Sequence, residues 1–235
     1  MIHFVVLTGG TGSRMQADRP KQFLPLAGKP VLQYSLELFA GLEMEKGSLV
    51  IVSHSDYRMA CEVLLRPVAD RFSAVAVVSG GRTRHLSSIN GLAALEEVAD
   101  SDIILIHDGA RPLVSSQEVW SLVRRMQSNP VLACATLASP ATETIAVSDS
   151  ADSIITDVPD RSTLFAIKTP QALRGAYREG MQQCMRDDYT DLIAWAMDQN
   201  LPSGMAPSGP RNIKLTNPED LPFLESLVGK SPETG

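Results

Sequence analysis

The sequence predicts an α/β protein in which helices flank a mostly parallel sheet and a β-hairpin arm stands away from it. Three observations carry this expectation. Short β-branched runs alternate with amphipathic segments, each run ends in a turn or a glycine-rich stretch, and one polar, punctuated stretch interrupts the alternation. A chain of 235 residues suits one large domain with a substantial core. We therefore read a single domain over 1–235, with the arm inserted at about 139–161.

Strands are expected over 4–7, 49–53, 74–78, 103–107 and 131–137, where apolar β-branched residues cluster. Helices follow from apolar spacing: Val31, Leu32, Ser35, Leu36 and Phe39 make one face, and Ile89, Leu92, Ala93 and Leu95 a second. Val119, Leu122, Val123 and Met126 make a third. In the arm, alternating pieces at 144–147 and 153–156 flank a turn-like 148–152. An isolated two-stranded hairpin is marginal in water, so the arm is expected to pack on something, most economically a second copy of the chain. Helical patterns resume over 172–185 and 190–199. A strand-like 212–215 follows, then a helix capped by Asn217-Pro218-Glu219-Asp220 and a frayed tail over 229–235.

Composition narrows the function. Hydrophobic residues make up 44% and charged residues 20%, as in ordinary globular enzymes. The net charge of −6 argues against broad binding of nucleic acid, yet a local pocket of cations and N–H groups can still take a small anion. No stretch approaches the roughly 18 apolar residues of a membrane span, and the first residues lack the basic start and long apolar run of an export signal. Cys61, Cys134 and Cys184 are odd in number and form no CxxC pattern, so neither a disulfide framework nor a zinc knuckle is expected. The expected compartment is the cytoplasm.

The first expected strand runs into Thr8-Gly9-Gly10-Thr11-Gly12-Ser13-Arg14-Met15, then Pro20-Lys21-Gln22-Phe23. Gly9, Gly10 and Gly12 let backbone N–H groups face an anion without a Cβ in the way. Arg14 and Lys21 add two cations where a triphosphate, with about four negative charges, would need them. The loop is not a Walker A motif, because no Lys-Ser or Lys-Thr follows Gly12. It is not the dinucleotide fingerprint either, because Met15 stands where the third glycine belongs. The pattern GGxGxRM…PKQFLPLxGKPVL resembles the opening of sugar-phosphate nucleotidyltransferases. That resemblance implies a Rossmann-like, GT-A-like fold with a nucleoside triphosphate over this loop.

Further segments sharpen the resemblance. The stretch from Gly80 to Leu92 is similar to the GGxxRxxSVxxGL segment of the 2-C-methyl-D-erythritol 4-phosphate cytidylyltransferase family, with Arg82 and Ser88 departing from it. The match implies that Gly80, Gly81 and Ser87 sit beside cytosine. In His107-Asp108-Gly109-Ala110-Arg111-Pro112, a carboxylate ends an apolar strand, where open α/β sheets place ligands. Asp108 is the expected Mg²⁺ ligand, since magnesium favours carboxylate and phosphate oxygens. His107 is expected to be structural, being a poor partner for a hard ion. Arg111 either pairs with an acid or meets the acceptor phosphate.

The resemblance continues to the end of the chain. By position it implies that Thr144, Arg161 and Thr169 contact the acceptor, together with Asp108, Arg111 and Thr190, and that Lys214, within Asn212-Ile213-Lys214, meets the α-phosphate. Glu143 and Ala146 depart from the DTxK pattern of the arm, and Leu192-Ile193 from the residues after Thr190-Asp191. Together these matches imply a Mg²⁺-dependent homodimer that moves CMP from CTP to methylerythritol phosphate, with Arg14, Lys21 and Lys214 catalytic. The related ribitol 5-phosphate cytidylyltransferases and a catalytically silent nucleotide-binding protein are the competing readings.

Overall fold

The computed structural model describes residues 1–9, 19–149 and 153–229. Its strands are β1 (Ile2–Leu7), β2 (Pro25–Leu26), β3 (Lys29–Pro30), β4 (Lys46–Ser53), β5 (Val75–Ser79), β6 (Ile103–Asp108), β7 (Cys134–Pro140), β8 (Val147–Ser148), β9 (Ile155–Asp157), β10 (Phe165–Arg174) and β11 (Ser203–Pro207). Seven of them form one sheet in the order β11-β7-β10-β6-β1-β4-β5. All neighbours are parallel except β10, which runs antiparallel to both β6 and β7. The mostly parallel α/β fold expected from the alternation is the one observed.

The helices are α1 (Val31–Gly41), α2 (Arg58–Leu65), α3 (Arg84–Ala93), α4 (Ser116–Gln127), α5 (Arg178–Gln182), α6 (Leu192–Asp198) and α7 (Asp220–Leu227). Strand β1 is buried along its whole length, as a central parallel strand covered on both faces must be. Its side chains alternate between two cores. Phe4 and Val6 pack with Leu36 and Phe39 of α1, Leu65 of α2 and Leu122 of α4. Val5 and Leu7 pack with Leu92 of α3, Met181 of α5 and Trp195 of α6 on the other face. A smaller cluster joins Leu26, Ala110, Leu215 and Leu224, and so seats the C-terminal segment against the loop after β6.

Several expectations need correction. The stretch 172–185 is not one helix: Ala172 to Arg174 end strand β10, and a short turn precedes α5. Residues 212–215 form no strand; the segment is held instead by Leu215 N–H donating to Ala110 O at 2.8 Å. Asn217 does not cap α7; Asp220 closes that turn by accepting from the N–H groups of Thr216 and Asn217. Strand β7 begins at Cys134, three residues later than expected. On α3 the buried face carries His85, Ser87, Ser88 and Leu92, whereas Ala93 is exposed. This helix turns a polar side inward. The arm is present as the antiparallel pair β8–β9, with Asp149 N–H donating to Ile154 O at 2.9 Å; residues 150–152 of its turn lie outside the described residues. Among the described residues no helix is long and apolar enough to cross a membrane.

Candidate active site

The carboxyl ends of β1, β4, β5 and β6 point to one edge of the sheet, where parallel sheets bind ligands. Asp108, the last residue of β6, is the hub there. Its carboxylate is buried, and three cations converge on it. Arg84 brings Nε and Nη2 to 3.1 Å from Oδ1, with only the Nε–H well directed. Lys214 Nζ lies 2.8 Å from Oδ2, and Arg111 Nε 3.9 Å from the same oxygen. Burial alone would raise the pKa of this carboxyl, but Arg84, Lys214 and Arg111 override it and hold Asp108 well below the usual carboxylate range. Asp108 is therefore ionised, one carboxylate among three basic side chains.

A network of buried groups fixes this hub. Thr169 Oγ1 accepts from Asp108 N–H at 3.0 Å and lies 3.3 Å from His107 Nδ1. His107 Nε2 faces Arg111 O at 3.2 Å and Ser35 Oγ at 3.1 Å. With the Thr169 hydroxyl donating to Nδ1, the proton of the ring sits on Nε2 and every partner is satisfied. Full burial pushes the His107 pKa down to about 4, so the ring is neutral and structural, as the sequence suggested. Thr169 reaches this position because Pro170 has no N–H for the ladder, and the β10–β7 register shifts between Lys168 and Gln171. Asn212 completes the wall: its side chain donates to Thr169 O at 3.0 Å, and its carbonyl accepts from Arg111 Nη1 at 3.1 Å.

Beside the hub, Gly9, Gly80, Gly81 and Ser87 meet in one corner. A Cβ on Gly9 would lie 3.8 Å from Ser87 Oγ, and one on Gly80 3.1 Å from it. A Cβ on Gly81 would fall 2.3 Å from Leu86 Cβ, so a side chain cannot be placed there without moving the helix start. Ser87 Oγ accepts from Gly81 N–H at 3.0 Å and donates to Thr83 O at 2.9 Å. The hydroxyl thus shapes the corner. Thr83 caps α3 by accepting from Leu86 N–H at 3.1 Å, which places Arg84 on the first turn, facing Asp108.

A family model described as 2-C-methyl-D-erythritol 4-phosphate cytidylyltransferase matches residues 2–230. The chain belongs to this family. A relative of that name from Leptospira borgpetersenii is 34% identical over 225 residues, covering 95% of this chain and 92% of its own. Another from Pseudomonas putida is 37% identical over 232 residues, covering 94% and 92%. The crystal structure of 4-diphosphocytidyl-2C-methyl-D-erythritol synthase from Anaerococcus prevotii superposes with a TM-score of 0.79 over 97% of this chain and 98% of that one. At 22% identity it speaks for the fold alone.

The other residues expected in a cytidylyltransferase site fall into three groups. Gly10, Gly12 and Arg14 lie outside the described residues. Lys21 opens a single turn, Lys21–Phe23, and the buried Gln22 ties that turn to the end of β1 by donating to Thr8 O. Lys21 therefore sits on a turn tied to the end of β1. Thr144, Arg161 and Thr190 are exposed, and among the described residues none of them hydrogen-bonds to the Asp108 cluster. Arg161 Nη1 instead donates to Thr142 O at 3.0 Å, at the base of the arm.

Asp108, the expected magnesium ligand, is held by cations. Both Asp108 oxygens face cations, and among the described residues no group of three or more His, Cys, Asp or Glu could hold a metal. A dication at Asp108 would have to displace Lys214 and sit beside two arginines. These residues do not fit a resident magnesium ion. Sequence reasoning missed Arg84, Gln22 and Asn212. Arg84 carried a usable signal, a cation on the first turn of a helix that leaves a double-glycine strand end.

Proposed function

We propose that this cytidylyltransferase joins CMP from CTP to 2-C-methyl-D-erythritol 4-phosphate, giving 4-diphosphocytidyl-2-C-methyl-D-erythritol and pyrophosphate in isoprenoid precursor synthesis. The observation that supports it is the set of three cations around Asp108, beside a glycine corner at the ends of parallel strands. An oxygen of the acceptor's phosphate attacks the α-phosphorus of CTP, and the bond from that phosphorus to the β-bridging oxygen breaks. A phosphate monoester is already an anionic nucleophile, so the step needs no general base. The difficulty is joining two anions, and the remedy is positioning with preorganised charge. Lys214, with its side chain 39% exposed, is the cation of the hub best placed to meet substrate phosphate. Gly80 and Gly81 leave room for backbone to approach the base, and Lys21 lies on the turn tied to the end of β1.

Magnesium, in this reading, travels with CTP as its counter-ion and is part of the substrate. Homodimerisation is proposed through the arm, because Ile154 and Ile155 are 60% and 64% exposed and Val147, Val158, Phe165 and Ile167, on the arm or just after it, are exposed too. Arg161 would then serve the neighbouring subunit's acceptor. The test is pyrophosphate release with CTP and Mg²⁺, comparing methylerythritol 4-phosphate with ribitol 5-phosphate and using ATP, GTP and UTP as controls. Preference for CTP with methylerythritol phosphate is expected. Preference for ribitol phosphate would reassign the acceptor, and binding of CTP without turnover on any acceptor would leave only a nucleotide-binding protein. Mixing Arg161→Ala with Lys21→Ala subunits should restore turnover if Arg161 acts across the dimer.

A further inference from the structure

We infer that Arg84 is a positioning residue that neutralises Asp108, so that Lys214 can leave the carboxylate for an incoming substrate phosphate. The inference rests on the cytidylyltransferase reading and adds a role for a residue outside the loop and the arm. The three cations of the hub are not equivalent. Arg111 is pinned by Asn212 O and its side chain is only 12% exposed. Arg84 has its backbone set by the capped first turn of α3, and its side chain, 23% exposed, takes Oδ1. Lys214 takes Oδ2, and among the described residues Asp108 is the one ion-pair partner of its ammonium.

A buried carboxylate left without enough positive charge has two effects on a phosphate. It repels the phosphate directly, and it holds the nearest flexible cation more tightly. Arg84 removes both. With Oδ1 satisfied by a guanidinium less exposed than the Lys214 ammonium, 23% against 39%, the carboxylate remains neutralised on one side when Lys214 swings away. Arg111, at 3.9 Å from Oδ2, is near enough to take part of the charge that Lys214 gives up. The hub thus works as an exchange: Lys214 trades a carboxylate oxygen for a phosphate oxygen of the same charge type. Fixed cations keep the trade from costing a bare buried anion.

Calorimetric titration with Mg·CTP and with methylerythritol 4-phosphate, together with steady-state pyrophosphate release, tests this. Arg84→Ala should lower kcat/KM by at least a hundredfold and weaken binding of the acceptor phosphate at least tenfold, and Arg84→Lys should recover much of both. The decisive readout is a change of sign. Asp108→Asn should weaken acceptor binding in the parent protein, where the carboxylate anchors Arg84 and Arg111, but strengthen it in the Arg84→Ala background, because there only Arg111, 3.9 Å away, offsets the carboxylate once Lys214 has left. Arg84→Gln, which keeps length and hydrogen bonding without charge, replaces Arg84→Ala if that variant fails to fold. Additive losses in the double variant, or acceptor binding by Arg84→Ala equal to the parent, would overturn the inference. A parent protein that binds CTP yet turns over no acceptor would instead defeat the functional reading, and the calorimetric sign test would still stand.

Discussion

Acidification offers a direct reading of the buried network under Asp108. His107 is fully buried against Ser35, Thr169 and the edge of the Phe39 ring, whose centroid lies 5.3 Å away. Burial brings its pKa to about 4, against about 6.5 in an unfolded chain. Between those values the unfolded state binds a proton that the folded state refuses. Stability due to this group is therefore intact above about pH 6.5 and falls as the pH drops toward 4. The full loss is the pKa difference times about 1.36 kcal/mol per unit, or about 3 kcal/mol, with a slope near 1.2 kcal/mol per pH unit midway. Burial lowers His3 and His85 in the same direction, so the parent protein should lose more than this in total. The perturbation that isolates His107 is His107→Gln, which keeps a donor for Arg111 O and cannot titrate. Urea unfolding at half-unit steps from pH 7 to 4 should give a variant less stable at neutral pH but with a shallower slope. Parallel curves for parent and variant across that range would refute the assignment of a neutral, structural His107.

Further expectations test the site and its supports. Thr169→Val keeps shape but orphans the Asp108 N–H, which should cost about 1–3 kcal/mol in urea unfolding and depress kcat, whereas Thr169→Ser should preserve most activity. Gly91→Ala would place a Cβ 2.4 Å from Val5 Cγ1 and 2.8 Å from Val52 Cγ2, both on stiff β-branched side chains; a loss of about 1–3 kcal/mol is expected despite alanine's better helix propensity. A variant as stable as the parent would show that α3 can lift off β1 freely. Gly81→Ala, blocked by Leu86, should raise the KM for CTP more than tenfold and also lower the melting temperature, because the start of α3 must move to admit the methyl group. Asp108→Asn should leave the Mg²⁺ concentration for half-maximal rate unchanged at fixed Mg·CTP, and a large increase would return the metal to the protein.

Much of the frame was legible because it is local. The apolar runs of β1, β4 and β6 and the spacing on α1 and α4 announce themselves within a few residues. What escaped is set by tertiary context. Strand β10 reads poorly as a strand because Pro170 sits inside it, and a proline argues against a central position; the register shift at Lys168 admits it here. Strand β11 carries glycine and proline and takes its place only from pairing with β7. In the site, the motif around Asp108 was plain, but its meaning depends on residues 84, 111 and 214 meeting at one carboxylate. No spacing rule encodes that meeting. The capped start of α3 and the docking of the 212–215 segment produce it.

The antiparallel course of β10 links the order of assembly to the onset of function. Strands β5, β4, β1 and β6 can pair as they are made, but β6 then offers an open hydrogen-bonding edge, a hazard for any half-folded sheet. Only β10, arriving after the arm, covers that edge and joins β7 and β11 to the rest. The same insertion brings Thr169 under Asp108 and so completes the support of the charged hub. A nascent or partly unfolded chain can therefore carry the glycine loop and the carboxylate without an assembled receptor for phosphate. Protection of the open edge and the seating of Thr169 under the hub come in one step, and Lys214 joins them when the 212–215 segment docks.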